Sequence, residues 1–271
     1  MASVQKYRQR YLRYHKGYEK RSTTELIKVF KGWFSKIDFT SLQAGSYKTV
    51  INNAMDFESL EQAYINIYRE VGLVHGKRVG KDINTGLKAF TWGAFLTVFE
   101  LNVVDYLRRY GVERILTVRR SVFDDIVELI STRLAEGKDM RDVTNEINTL
   151  VNRRDFYRWQ AERIARTEST AASNYAALQA GDVSGFQMGK EWISATDART
   201  RRKPKSEYDH FEMNGKRVKR NEKFIFNRSK DPRNQLDYPG DPTAYPGNVI
   251  NCRCTVAIVA LRDKDGNLIP K

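Results

Sequence analysis

From Glu25 to Ala180 apolar residues recur at intervals of three and four with few turn clusters between them, the period of helices that bury one face. After Gly181 that period stops. Gly, Pro, Asn and Asp become frequent, and the short runs Lys190-Glu191-Trp192-Ile193, Phe224-Ile225-Phe226 and Thr255-Val256-Ala257-Ile258-Val259 favour strands. The break confines the chain to the α+β class: a helical N-terminal region followed by a small C-terminal domain with a long helix and a short antiparallel sheet. At 271 residues both parts can bury a core without disulfide staples. The expected divisions are a basic Tyr-rich arm over 1–24, a helical domain over 25–153, a small domain over 154–262 and a tail over 263–271.

Local signals delimit several elements. Ser121 with Asp124 reads as a capping box that opens a helix ending at Gly137, with Val122, Phe123, Ile126, Val127, Ile130 and Leu134 on one face. Asp139 reads as the cap of a short helix burying Met140, Val143, Ile147 and Leu150, and a third helix is expected from near Asp155 to a stop at Gly181. Upstream, Met55 to Val74 and Gly86 to Tyr110 look like two more helices. Asn214-Gly215, between Phe211-Glu212-Met213 and Lys216-Arg217-Val218, is a hairpin signal, because a type I′ turn needs two residues tolerant of positive φ.

Charge is unevenly placed. The net +14 comes from 47 Lys and Arg against 33 Asp and Glu, and the segments Met1 to Arg21 and Arg199 to Asn234 carry all of it. Contact with a polyanion should map to these two segments and weaken with salt. The N-terminus has no apolar core of a secretory signal, and the most apolar stretch, Ala89 to Leu107, is interrupted by Glu100 and Asp105. It reads as a buried helix and not a membrane span. Cys252 and Cys254 are too close in sequence to bridge each other without strain. They remain as reduced thiols, a metal site or intermolecular partners.

Four motifs carry candidate chemistry. Arg166 and Glu168, in Ala165-Arg166-Thr167-Glu168, fall on different faces of their helix and must find partners on other elements; one reading has them tying the helix to the small sheet. Trp192 leads through Asp197-Ala198-Arg199-Thr200-Arg201 to His210 and the turn at Asn214-Gly215. There Asp197 either binds metal or bonds to nearby backbone N–H groups. Tyr238-Pro239-Gly240-Asp241-Pro242 reverses the chain before Asn251-Cys252-Arg253-Cys254. Two cysteines at this spacing lie on one side of an extended segment, so Cys252, Cys254, His210 and Asp197 form a candidate four-ligand zinc site, with paired core thiols as the alternative. The fourth motif is the N-terminal stripe of Tyr7, Tyr11, Tyr14 and Tyr18 among Arg8, Arg10, Arg13 and Lys16. It suits either docking to a partner or nucleic acid, or packing on the chain's own core.

Taken in order, Arg166-Thr167-Glu168, Trp192, Asp197 with Arg199 and Arg201, His210 with Gly215, Tyr238 to Pro242, and Asn251 with Cys252 and Cys254 resemble the phage Mu protein F-like head morphogenesis family over about Ile164 to Ala257. Two departures stand out: Asn214 where the family usually has Asp, and the basic insert Arg202 to Asp209. The resemblance implies a minor capsid protein of a tailed phage, located in the head or portal region of the virion and assembled in the host cytoplasm. Its implied partners are the portal protein and the major capsid or scaffold proteins, its role is in DNA packaging or ejection, and no catalytic activity or resident cofactor is implied.

Three function classes remain to be weighed. A structural and interaction protein fits the lack of any Gly-rich phosphate loop or nucleophile elbow. A DNA-binding protein bound to or ejected with the genome would use Tyr7, Arg8, Tyr11, Arg13 and Tyr14 on the arm and Arg201, Arg202, Lys203 and Lys205 in the basic insert to hold double-stranded DNA. A metal-dependent hydrolase or transferase would need Glu168, Asp197 and His210 to converge; the expectation is that the chain is not an enzyme.

Overall fold

The computed structural model describes residues 4–87, 90–153 and 156–271. Helices α1 (Val4–Ser35), α2 (Tyr47–Ala54), α3 (Phe57–Leu87), α4 (Trp92–Tyr106), α5 (Val112–Ala135), α6 (Met140–Asn152) and α7 (Arg158–Asp182) precede strands β1 (Met188–Ile193), β2 (Arg217–Lys219), β3 (Phe224–Ile225) and β4 (Gln235–Leu236). The short helix α8 (Pro246–Val249) and strand β5 (Thr255–Ala260) close the order, which is the expected α+β arrangement.

Helix α7 is the element on which the others converge. Ala161, Ala165, Ala171, Ala172, Ala176, Ala177 and Ala180 are all fully buried, and side chains this small let α1 and α3 lie close against it. The sheet has the order β2-β1-β5 with both pairings antiparallel, and Trp192 on β1 stands opposite Val256 on β5. Every residue of β1 is buried because strands flank both its edges and α7 lies close to the sheet. Gly181 belongs to that contact: a Cβ there would come within 3.0 Å of Ile258 Cγ2. It is a packing residue of α7, which runs on to Asp182.

A second close approach sets the helical body. Gly72, Gly76 and Gly80 lie four apart on one face of α3, and the rings of Phe99, Phe95 and Phe90 occupy the space that a Cβ at each would need. The ridge of phenylalanines thus seats in a groove made of glycines. This explains why α3 continues beyond Val74, where the sequence suggested an end: Val79 and Ile83 extend its buried face, and the glycines are contact points.

Other expectations are corrected. Ser121 is not a cap, since α5 begins at Val112, directly after a π turn over Leu107–Gly111, and Ile115 already belongs to its buried face. Gly137, at φ +85, does end this region, and the Asp139 carboxylate accepts from Asp142 N at the start of α6. The expected helix start at Asp155 lies outside the described residues. The hairpin across Asn214-Gly215 does not form: Phe211 to Gly215 are turns, only Gly215 takes positive φ, and β2 pairs with β1. The boundary expected at residue 24 falls inside α1, whose Tyr11, Tyr18, Leu26, Phe30 and Trp33 are buried along one face. Among the described residues no helix is long and apolar enough to cross a membrane.

Replacing Gly76 by Ala separates the two forces. On an open helix the change would stabilise by about 1 kcal/mol. Against the Phe95 ring it is expected to lower stability by about 2 kcal/mol, read as a lower urea midpoint at unchanged m value, and Gly76→Ala with Phe95→Leu should recover part of the loss.

Candidate functional site

The site is built outward from α7. Thr167, Thr170 and Asn174 lie three and four apart and share one face of that helix. Thr167 Oγ1 accepts from Asn251 N at 3.0 Å, and Thr170 Oγ1 donates to the Cys252 carbonyl at 2.6 Å. Asn174 completes the series: its amide donates to the carbonyls of Pro239 (2.8 Å) and Cys254 (3.2 Å), while its Oδ1 accepts from Thr255 Oγ1 (2.8 Å) and Val256 N (3.0 Å). Asn251 to Val256 are thereby held by one helix face. The Tyr238 to Pro242 turn docks beside them, where Gly240, at φ +89, brings the backbone so near α7 that a Cβ would lie 3.0 Å from Ala171 Cα.

Within the held loop, Cys252 and Cys254 are buried with His210. His210 Nδ1 is 3.5 Å from each sulfur, and the three potential ligand atoms lie within 4.8 Å of one another. His210 Nε2 is 2.7 Å from Asn248 Oδ1, so Nε2 carries the proton and Nδ1 presents its lone pair to the sulfurs. The hydrogen bond from the Cys254 thiol holds Cys252 well below the ordinary thiol range, with His210 adding to it, while burial pushes Cys254 up. Trp192 and Phe226 stand against the His210 ring with centroids 5.4 and 5.2 Å away.

Asp197 does not join them. Its carboxylate accepts from Arg199 N (3.0 Å) and Thr200 Oγ1 (3.2 Å) and pairs with Arg253 at 2.6 Å. The first is the short-range backbone bond weighed from the sequence, and the hydroxyl of Thr200 adds a second local donor. Partial burial would raise this carboxyl, but the Arg253 charge and these bonds keep it below its usual range. The four-ligand set expected from the sequence is therefore a three-residue cluster, and Glu168, Asp197 and His210 serve three separate places.

Arg166 and Glu168 do look to other elements, though not to the sheet. Arg166 bonds Glu19 on α1 (3.2 Å) and Asn251 Oδ1 (2.9 Å), and Asn251 takes φ +60 to receive it. Glu168 is buried between α3 and α5, accepting from Tyr68 Oη (3.0 Å) and pairing with Arg114 (3.2 Å). Burial raises its carboxyl against the pull of Arg114. Arg201 donates to the Ile250 carbonyl. Arg199, Arg202, Lys203 and Lys205 are exposed, and Arg202 lies over the Phe211 ring at 4.4 Å.

The N-terminal stripe is mostly spent on internal contacts. Tyr7 Oη donates to the Val256 carbonyl (3.0 Å), and Arg8 donates to the Ser194 carbonyl (2.8 Å) and Asn214 Oδ1 (3.0 Å). Tyr11 is buried with its hydroxyl 3.1 Å from Ser173 Oγ, and the Arg78 guanidinium covers Tyr14 at 3.7 Å. Arg13 alone of the five expected contact residues stays exposed. Of the two readings of the stripe, the structure shows the packed helix: Tyr11 meets α7, Tyr7 meets β5, and Tyr14 and Tyr18 meet α3. Sequence reasoning passed over Thr170, Asn174 and Asn248; the signal for the first two was a polar stripe in an otherwise alanine-rich helix.

These features define an α+β protein whose small sheet and Cys/His loop are locked to a helical body through one buried helix. Residues 124–257 match the model of the phage Mu protein F like protein family, to which this part of the chain is similar. The match ends at Ala257, as the motifs suggested, but starts at Asp124 within α5, so it takes in α6 and all of α7. No curated protein and no solved structure matches the chain.

The buried pair is testable by a cycle. Arg114→Met leaves Glu168 without its cation and should cost about 3 kcal/mol. Arg114→Met with Glu168→Leu should cost clearly less than the sum of Arg114→Met and Glu168→Leu alone, and a double loss equal to that sum in chemical denaturation would show that the pair is not coupled.

Proposed function

We propose that the chain is a minor capsid component of a tailed phage, acting in head morphogenesis with the portal and the capsid or scaffold proteins, and that its Mu F-like region serves as a structural unit and not as a catalyst. The observation that carries this reading is the family match over residues 124–257. The arrangement of the motif residues agrees with it: Arg166, Thr167, Glu168, Asp197 and Asn251 spend their polar atoms on bonds within the chain. Surface for a protein partner is offered by Leu101, Val112 and Leu116 on α4 and α5, of which Leu101 is 70% exposed. Val112 and Leu116 lie one turn apart on α5, and exposed apolar side chains favour association.

A second reading, a protein bound to or ejected with the genome, is favoured by the exposed Arg202, Lys203 and Lys205, which no carboxylate approaches within ion-pair distance among the described residues. Phosphate contacts by such side chains are lost steeply as salt rises.

Purified particles analysed by mass spectrometry, together with pull-down on the portal, separate the two. The first reading expects the chain in particles at far fewer copies than the capsid protein and retained by portal at high salt. Absence from both contradicts it. Retention on DNA that collapses between about 50 and 200 mM salt and fails in Arg202→Ala/Lys203→Ala/Lys205→Ala would support the second.

A further inference from the structure

Both sulfurs of the buried Cys252, Cys254 and His210 cluster face the one imidazole lone pair, each 3.5 Å from Nδ1. A shared cation would engage all three donor atoms at once. Tetrahedral zinc with Zn–S of about 2.3 Å and Zn–N of about 2.0 Å sets each S···N edge at about 3.5 Å, which is the separation at both sulfurs. We propose that Cys252 Sγ, Cys254 Sγ and His210 Nδ1 bind one zinc ion that clamps the loop before β5 to the turn around His210.

Three further observations support the assignment. The Nε2–H of His210 donates to Asn248 Oδ1 at 2.7 Å, the outer hydrogen bond that fixes tautomer and ring orientation in metal-binding histidines. Two thiolates neutralise the ion, so the nearby arginines do not oppose it, and Arg253 already has Asp197 as its partner at 2.6 Å. Soft sulfur donors with one imidazole select zinc over the hard cations magnesium and calcium.

Beside the three ligands lies a cleft lined by Arg199, Arg201 and Arg253 with a volume of about 10 Å³, room for roughly one water as the fourth ligand. The ion replaces the thiol protons, which pass to the buffer. Its work is mechanical: it joins Tyr208 to Phe211 with Asn248 to Cys254, and so steadies Asn251 under Arg166. This role is independent of head assembly, so failure of either reading leaves the other standing.

The full chain, expressed with zinc supplied and freed of loosely held metal by gel filtration, should carry one zinc per chain by elemental analysis. Cys252→Ser, Cys254→Ser and His210→Ala should each reduce that to a small fraction. Since these variants can also fail to fold, the wild-type chain provides a second measurement. Stripped with a chelator and titrated with Co²⁺, it should show thiolate-to-cobalt charge transfer and the strong visible bands of a tetrahedral site at one equivalent, abolished by Zn²⁺ and not by Mg²⁺. Less than a tenth of an equivalent of zinc in the purified chain, with no thiolate band on cobalt addition, overturns the proposal.

Discussion

Four hydrogen bonds on one buried side chain hold the C-terminal module in place. Asn174, fully buried in α7, satisfies two carbonyls on separate loops, a hydroxyl and the first inward N–H of β5. A buried amide with every partner met fixes geometry more sharply than apolar packing, because any other placement leaves polar groups unpaired at about 1–3 kcal/mol each. Thr167 and Thr170 extend the same grip toward Asn251 and Cys252. The opposite side of this seam takes α1, through Ser169 with Ser22, Thr170 with His15 and Ser173 with Tyr11.

Because α7 belongs to both parts, the helical body and the small sheet are one mechanical unit. Arg166 spans the joint, bonding α1 through Glu19 and the Cys/His loop through Asn251. The region that matches the family begins within α5, and its α7 is packed against α1 and α3, which lie outside it. Such rigidity presents surface groups at fixed positions. The exposed leucines of α4 and α5 and the basic insert are the groups so presented.

Much of this was legible in the residues. Strand runs at Lys190 to Ile193 and Thr255 to Val259 show because β-branched and aromatic residues cluster there between turn formers, and the Asp139 cap and Gly137 stop are local chemistry that tertiary contacts left undisturbed. Asp197 could be read either way, since a carboxylate at a strand end looks the same whether it meets a metal or Arg253. The stripe of tyrosines on α1 was ambiguous for a similar reason: aromatic and basic residues at helical spacing describe a docking face and a packed face alike. Capping at Ser121 misled because its signature spans four residues, whereas the buried face of α5 begins upstream at Ile115. The glycine groove on α3 was hidden because its meaning lies in phenylalanines of another segment.

If the polar face of α7 holds the Cys/His loop and β5 in place, amide hydrogen exchange on Asn174→Leu reads it out. Residues 251–258 should lose protection by at least a factor of 10, while α3 and α5 keep theirs, an opening worth about 1.4 kcal/mol or more at the loop alone. Unchanged protection over 251–258 in a folded variant would contradict the account.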